Sequence, residues 1–216
     1  MKKPAKKAGN SPDRNEEKAL YASGYARVAG LDEAGRGALA GPVVAAVVVL
    51  PATVKFRWLR LVKDSKLLQG KDRQDLYILM QDSGIEFSTG IVSADMIDNI
   101  NILNATKLAM KMAVEALASP PDYLLTDVVP LPRLRIPQKG IVKGDRRCIS
   151  VACASIVAKV TRDRIMMELD TRYPEYRFCE HKGYGTGQHL ECLRVHGACA
   201  EHRQTFSPVR QLARMI

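Results

Sequence analysis

Two β-branched runs separated by a glycine-rich turn dominate the hydrophobic pattern. Residues 28–34 read Val-Ala-Gly-Leu-Asp-Glu-Ala, an apolar run that stops at the adjacent carboxylates of Asp32 and Glu33. Residues 43–50 read Val-Val-Ala-Ala-Val-Val-Val-Leu and carry no polar side chain. Between them lie Gly35, Arg36, Gly37, Gly41 and Pro42, so the pattern predicts paired strands joined by an elaborated turn. Strand convergence has a condition attached. Neighbours on a strand point to opposite faces, so Asp32 and Glu33 are expected to meet in one site only if the strand end is distorted.

Further along, charged and apolar residues at helical spacing predict a helix over 71–81, stopped by Ser83 and Gly84. Ile85, Phe87, Thr89 and Ile91 alternate and predict a third strand over 85–93. Ser93 then reads as the N-cap of one long helix over 94–117, with Asp95 in its first turn favoured by the helix dipole and Pro120-Pro121 closing it. Short apolar runs ending in a carboxylate recur at 123–127, ending in Asp127, and at 140–145, ending in Asp145. Residues 148–173 read as a helix whose first half is small and apolar, fit to lie close on a sheet. Its second half is charged, and residues 161–164 are expected to face solvent or substrate. Helices return at 187–196 and from Pro208 onward, behind a Ser207 cap. Three early strands followed by strand–helix alternation predict an α/β fold with a mixed sheet flanked by helices.

Length and charge narrow the function classes. A chain of 216 residues is enough for one substantial core, and its formal net charge of +10 favours polyanionic partners, nucleic acid before membrane. No stretch approaches the roughly 20 apolar residues of a spanning helix. Residues 1–24 mix Lys, Asn, Ser, Asp and Glu and read as a disordered basic tail with no signal-peptide core, leaving residues 25–216 as the globular domain. Cys148, Cys153, Cys179, Cys192 and Cys199 make an odd set without a Cys-x-x-Cys pair, which suits free thiols in a reducing, cytoplasmic setting.

The chemistry concentrates in Asp32, Glu33, Asp127 and Asp145, each where an apolar run stops. Crowded carboxylates repel one another and persist together mainly when a cation neutralises them. Oxygen donors with few His or Cys nearby favour Mg²⁺ or Mn²⁺. A pair of such ions about 3.5–4 Å apart would suit in-line displacement at phosphorus, and the alternative is unrelated surface acids. Gly35, Arg36 and Gly37 fit neither a Walker loop nor a dinucleotide fingerprint, so they read as backbone that approaches a sugar or phosphate, or as a plain tight turn. Tyr184 stands on a basic loop, where it could stack on a sugar or base or serve as half-buried packing. The spacing of Cys192, His196, Cys199 and His202 is not a common zinc pattern.

In order and spacing these motifs resemble ribonuclease HII, the type 2 ribonuclease H family. The likeness is carried by residues 30–37 (Gly-Leu-Asp-Glu-Ala-Gly-Arg-Gly), 39–43, Asp64-Ser65-Lys66, Ile97-Asp98, Asn101-Ile102-Leu103 and Ala105-Thr106. It continues through Lys143-Gly144-Asp145, 154–163, 181–186, His202-Arg203 and Phe206-x-Pro208. The resemblance implies an RNase H-like fold with a mixed five-stranded sheet and a helical C-terminal portion. It also implies a monomeric endonuclease acting on RNA–DNA hybrids and on RNA–DNA junction duplexes, cutting 5′ of embedded ribonucleotides with Mn²⁺ or Mg²⁺. Asp32, Glu33, Asp127 and Asp145 match the metal-binding carboxylates, Gly35-Arg36-Gly37 the turn that senses the 2′-hydroxyl, and Tyr184 the ring that stacks on the following deoxyribose. Lys66, Ser155 and Lys159 match phosphate contacts. The family commonly has glycine after the third carboxylate, where this chain has Val128. A nucleic-acid-binding module without activity and a resolvase-like nuclease are the rival readings.

Overall fold

The computed structural model describes residues 11–53, 55–127, 131 and 134–212. Helix α1 (Asn15–Ala22) precedes strands β1 (Val28–Ala34) and β2 (Val43–Val49). Helix α2 (Gly70–Asp82), strand β3 (Glu86–Val92), helices α3 (Ala94–Ile100) and α4 (Ile102–Glu115) and strands β4 (Tyr123–Thr126) and β5 (Gln138–Gly140) follow. The long helix α5 (Ile149–Arg172) leads to α6 (Phe178–His181), α7 (Gly187–His196) and α8 (Ser207–Leu212). The sheet runs β3-β2-β1-β4-β5, antiparallel between β3, β2 and β1 and parallel between β1, β4 and β5. The hydrophobic pattern predicted a mixed sheet, and the resemblance implied its five strands.

Period-two alternation along β2 sorts the core into two layers. Ala46, Val48 and Leu50 face α5 and α2, with Trp58, Tyr77, Met80, Ile156 and Val157. Val43, Ala45, Val47 and Val49 face α4, with Ile97, Ala109 and Met110. The apolar first half of α5 is buried from Ile149 to Ala158. It lies so close to β1 that a side chain at Gly30 would collide with the Ser150–Val151 backbone. The charged half of α5 packs against the C-terminal helices through Met166, Leu169, Tyr176, Phe178 and Leu193. No helix among the described residues is long and apolar enough to cross a membrane.

Four expectations need correction. The helix expected over 94–117 is two helices, broken at Asn101, which adopts φ +65°. Asparagine tolerates that left-handed region, and its side chain accepts from the Asn104 N–H at 3.1 Å, so the residue ends one helix and caps the next. The apolar run at 140–145 is not a strand that ends in a carboxylate: β5 is Gln138–Gly140, and Asp145 sits on a 3₁₀ turn (Gly144–Arg146) entered through left-handed Lys143. Residues 161–164 do not all face outward, because Arg162 is fully buried.

The fourth correction concerns the tail. Its first ten residues lie outside the described ones, but α1 is ordered where disorder was expected. The composition is polar, yet tertiary contacts hold the helix in place. Leu20 and Tyr21 pack on Val28, Leu125 and Ile141. Glu17 is fully buried, and its carboxylate accepts from the Ser150 backbone N–H (2.8 Å) and hydroxyl (2.7 Å) in the first turn of α5. Asp13 bridges to Cys148, with Ile149 N–H donating to the Asp13 carbonyl at 3.0 Å. Glu17→Ala would leave both Ser150 donors unpaired in a buried place, a loss of about 1–3 kcal/mol, while Glu17→Gln keeps an acceptor and loses less. Urea denaturation measures the difference, and an Ala variant as stable as the parent would contradict this role for α1.

Candidate active site

The ladder between β1 and β2 is regular to its end, pairing Asp32 with Ala46, Glu33 with Ala45 and Ala34 with Val44. The distortion thought necessary for convergence is therefore absent. Asp32 lies on the α5 face and Glu33 on the other, as alternation requires. They meet because β4 stops one residue short: its last pair is Leu31 with Thr126, so the β1 edge beside both acids is open. Asp127 follows Thr126 directly, and Asp145 approaches from its 3₁₀ turn. An open cleft of about 440 Å³ results. It is lined by Asp32, Glu33, Asp127 and Asp145, by Gly35, Arg36 and Gly37, and by Lys66, Ser155, Lys159 and Tyr184. The eleven residues that the resemblance assigned to metal or substrate therefore border one space, together with Ala34 and Ser65.

Burial and like charge act on the acids together. Asp32 is 7% exposed, and desolvation, then the charges of Glu33 and Asp145, push its carboxyl well above the usual range against a hydrogen bond from Ser155. Glu33 is raised by burial and by Asp127, opposed by Arg36, whose guanidinium lies 3.1 Å away. Its Oε2 is buried without a hydrogen-bond partner among the described residues. Asp145 is raised by burial, Asp64 and Asp127, with Lys66 opposing. Asp127 accepts from the Gly144 N–H at 3.3 Å, joining the third acid to the loop of the fourth. Among the described residues no three acid, His or Cys side chains already close into a coordination cage. Yet the donors are all oxygen, like charges raise one another against partial compensation by Arg36 and Lys66, and one buried oxygen has no partner among the described residues, which is the setting a hard divalent cation suits.

The opposite wall is built by contacts to the turn after β1. Gly35 takes φ +94°, and a side chain there would run into Arg162. Ala38 bridges to Tyr184, and the Leu39 N–H donates to the Gly183 carbonyl at 2.8 Å, so the Gly35-Arg36-Gly37 turn and the Tyr184 loop form one unit. Lys159 stands 5.7 Å from the Tyr184 ring centroid and 2.5 Å from Asp163, its pKa lowered by burial.

Sequence reasoning missed three contributors. Asp64 is fully buried and accepts from the Lys66 N–H (3.0 Å) and Arg146 (2.9 Å), tying the Lys66 loop to that of Asp145. Ser65 meets Ser155 at 2.9 Å. Both stand beside Lys66 in the matched motif, the one available signal. The third is a set of buried histidines. His181 stacks on His189 with centroids 4.3 Å apart, and His189 meets His202 at 3.0 Å through their Nε2 atoms. Burial lowers His189 and His202 to about 4, so they are neutral packing partners near pH 7. His189 Nδ1 lies 3.0 Å from the Tyr184 carbonyl, which makes the stack a support for that loop. Burial likewise pushes the Cys148 thiol up to about 12, far from a reactive thiolate.

The family model for ribonuclease HII matches residues 29–209. This chain belongs to the ribonuclease HII family. It is 49% identical over 205 residues to the ribonuclease HII of Dehalococcoides mccartyi, covering 95% of this chain and 97% of that protein. It is 53% identical over 196 residues to that of Desulfitobacterium hafniense, covering 91% and 74%. The crystal structure of ribonuclease H2 from Pyrococcus horikoshii OT3 matches with a TM-score of 0.72 at 28% identity, covering 88% of this chain and 98% of that one. The RNase H-like fold is thus shown, and the protein is a nuclease, a hydrolase of the ribonuclease H type acting on RNA–DNA hybrids.

The raised carboxyls make a prediction for the metal-free chain. A carboxyl whose folded pKa lies above its unfolded value opposes folding once ionised, so the penalty is present above the raised pKa and vanishes below the ordinary carboxylate range. Asp32→Asn should therefore raise the thermal midpoint at pH 7 in EDTA, with the gain fading as the pH falls toward 4. An Asn variant no more stable than the parent at pH 7 would contradict the crowding of these acids.

Proposed function

We propose that this chain hydrolyses the RNA strand of RNA–DNA hybrids and also cuts on the 5′ side of ribonucleotides embedded in duplex DNA. The products are 5′-phosphate and 3′-hydroxyl ends. The observation that carries the reading is the meeting of Asp32, Glu33, Asp127 and Asp145 in one cleft whose far wall holds Tyr184 and the Gly35-Arg36-Gly37 turn.

Asp32, Glu33, Asp127 and Asp145 would hold two divalent ions, Mn²⁺ or Mg²⁺. When bound, such a pair lowers the pKa of a water for attack at phosphorus and offsets charge on the leaving oxygen. The remaining work falls to the chain itself. The turn presents backbone to the 2′-hydroxyl, the group that distinguishes RNA from DNA. Tyr184 offers its ring to the sugar on the 3′ side. Lys66, Ser155 and Lys159 stand where phosphates flank the cut, and the surplus positive charge draws the duplex in. Ser155, bonded to Ser65, also lowers the Asp32 carboxyl against its burial. A catalytically silent binding module is a poorer reading, because carboxylates lining the cleft would repel the phosphate backbone. We further propose that the protein acts as a cytoplasmic monomer.

The test is a DNA duplex carrying one ribonucleotide, incubated with Mg²⁺, with Mn²⁺ and with EDTA, beside Asp127→Asn. Cutting 5′ of the ribonucleotide should need the metal and fall by about a thousandfold in the variant, the several kcal/mol such a group contributes. Tight binding without cutting under every condition would favour the binding module.

A further inference from the structure

Arg162 is fully buried on α5, and no carboxylate among the described residues pairs with it. Its guanidinium spends its donors on backbone carbonyls of two separate loops. Nε donates to Pro42 (2.9 Å) and Nη2 to Ala40 (2.9 Å), both after the Gly35-Arg36-Gly37 turn, while Nη1 donates to Lys182 (2.8 Å), two residues before Tyr184. Its Cζ also lies 5.3 Å from the Tyr184 ring centroid, within reach of a cation–π contact. The same side chain fills the space that a Cβ at Gly35 would need. Arg203 also binds the turn, donating to the Gly41 and Arg36 carbonyls, but its guanidinium lies over the Phe206 ring, and among the described residues it makes no cation–π contact with Tyr184 and no bond to the Tyr184 loop. A buried cation without a counter-ion is costly. Burial alone would be met more cheaply by an apolar residue, and neither Leu nor Met could join two loops and a ring.

We propose that Arg162 is the positioning residue that couples the 2′-hydroxyl-reading turn to Tyr184, holding the two at the fixed spacing that recognition of an RNA–DNA junction requires. The inference rests on the junction reading above. A guanidinium is suited to the task because its rigid fork fixes the directions of three bonds at once, whereas an ammonium reaches carbonyls one at a time. The Ala38–Tyr184 bridge sets the backbones side by side, and Arg162 fixes the ring relative to the turn.

The experiment is a double-mutant cycle. Arg162→Met, Arg162→Lys, Tyr184→Ala and the two double variants are assayed for kcat/KM on a single-ribonucleotide duplex and on a uniform RNA–DNA hybrid. Thermal melts confirm folding. Arg162→Met should lower the ratio of the two by about tenfold, as should Tyr184→Ala, from the loss of contacts of this size. Each double variant should lose no more than the worse single one, because both changes break one device. Arg162→Lys should lose several-fold, and it carries the test should the Met variant not fold. A folded Arg162 variant with an unchanged ratio, or losses that multiply in the double, would reduce Arg162 to a structural staple. An unchanged ratio in Tyr184→Ala alone would instead overturn the junction reading beneath the proposal.

Discussion

Carboxylates held together against their own repulsion are the constraint on which the structure turns. Asp32 and Glu33 share a strand end, Asp127 is the first residue beyond β4, and Asp145 arrives on a separate turn, in a setting where burial favours the uncharged form of at least three of them. Such a cluster stays in register only if the elements that present it are fixed independently. The sheet does this for the first three by register, with β4 ending opposite Leu31. The fourth is secured by neighbours: Gly144 bonded to Asp127, Arg146 to Asp64, and the start of α5 to Glu17 of α1. The close seat of α5 at Gly30 then brings Ser155 and Lys159 to the same opening.

The other wall is governed by buried groups of opposite character. Two buried guanidiniums, Arg162 and Arg203, neither in an ion pair among the described residues, bind carbonyls of the turn after β1, and a neutral histidine stack supports the loop of Tyr184. The cleft thus has an acidic side fixed by strand ends and an opposite side, carrying the glycine-rich turn and Tyr184, fixed by donors buried beneath it. The two sides meet at Gly35, which follows the acids of β1 and packs against Arg162.

Much of this was legible in the sequence because it depends on local pattern. The apolar runs of β1 and β2, the small-residue half of α5 and carboxylates at the ends of apolar runs announce themselves by composition and spacing. What stayed hidden depends on contacts between distant residues. Periodicity continues unbroken across Asn101, so only its backbone angle reveals the helix break. Glu17 sits in a polar stretch and is ordered by Ser150, far along the chain. Arg162 stands among charged neighbours and is buried because carbonyls from two loops converge on it. The strand at Gln138–Gly140 is short and mixed in polarity, and its parallel partner, not its sequence, makes it a strand. The convergence of Asp32 and Glu33 was foreseen with the wrong cause: an open edge achieves it, with no distortion of the strand.

The most direct test of the central claim is calorimetric titration of Mn²⁺ into the metal-free chain at pH 6, repeated in two buffers of different ionisation enthalpy. Acids that hold protons above the usual carboxylate range must release them when a cation takes their place. The account predicts saturable binding coupled to net proton release, with Asp32→Asn weakening the binding and reducing the release. Binding that releases no protons and is indifferent to Asp32, or no binding at all, would contradict the claim that these four carboxylates are held together for a metal.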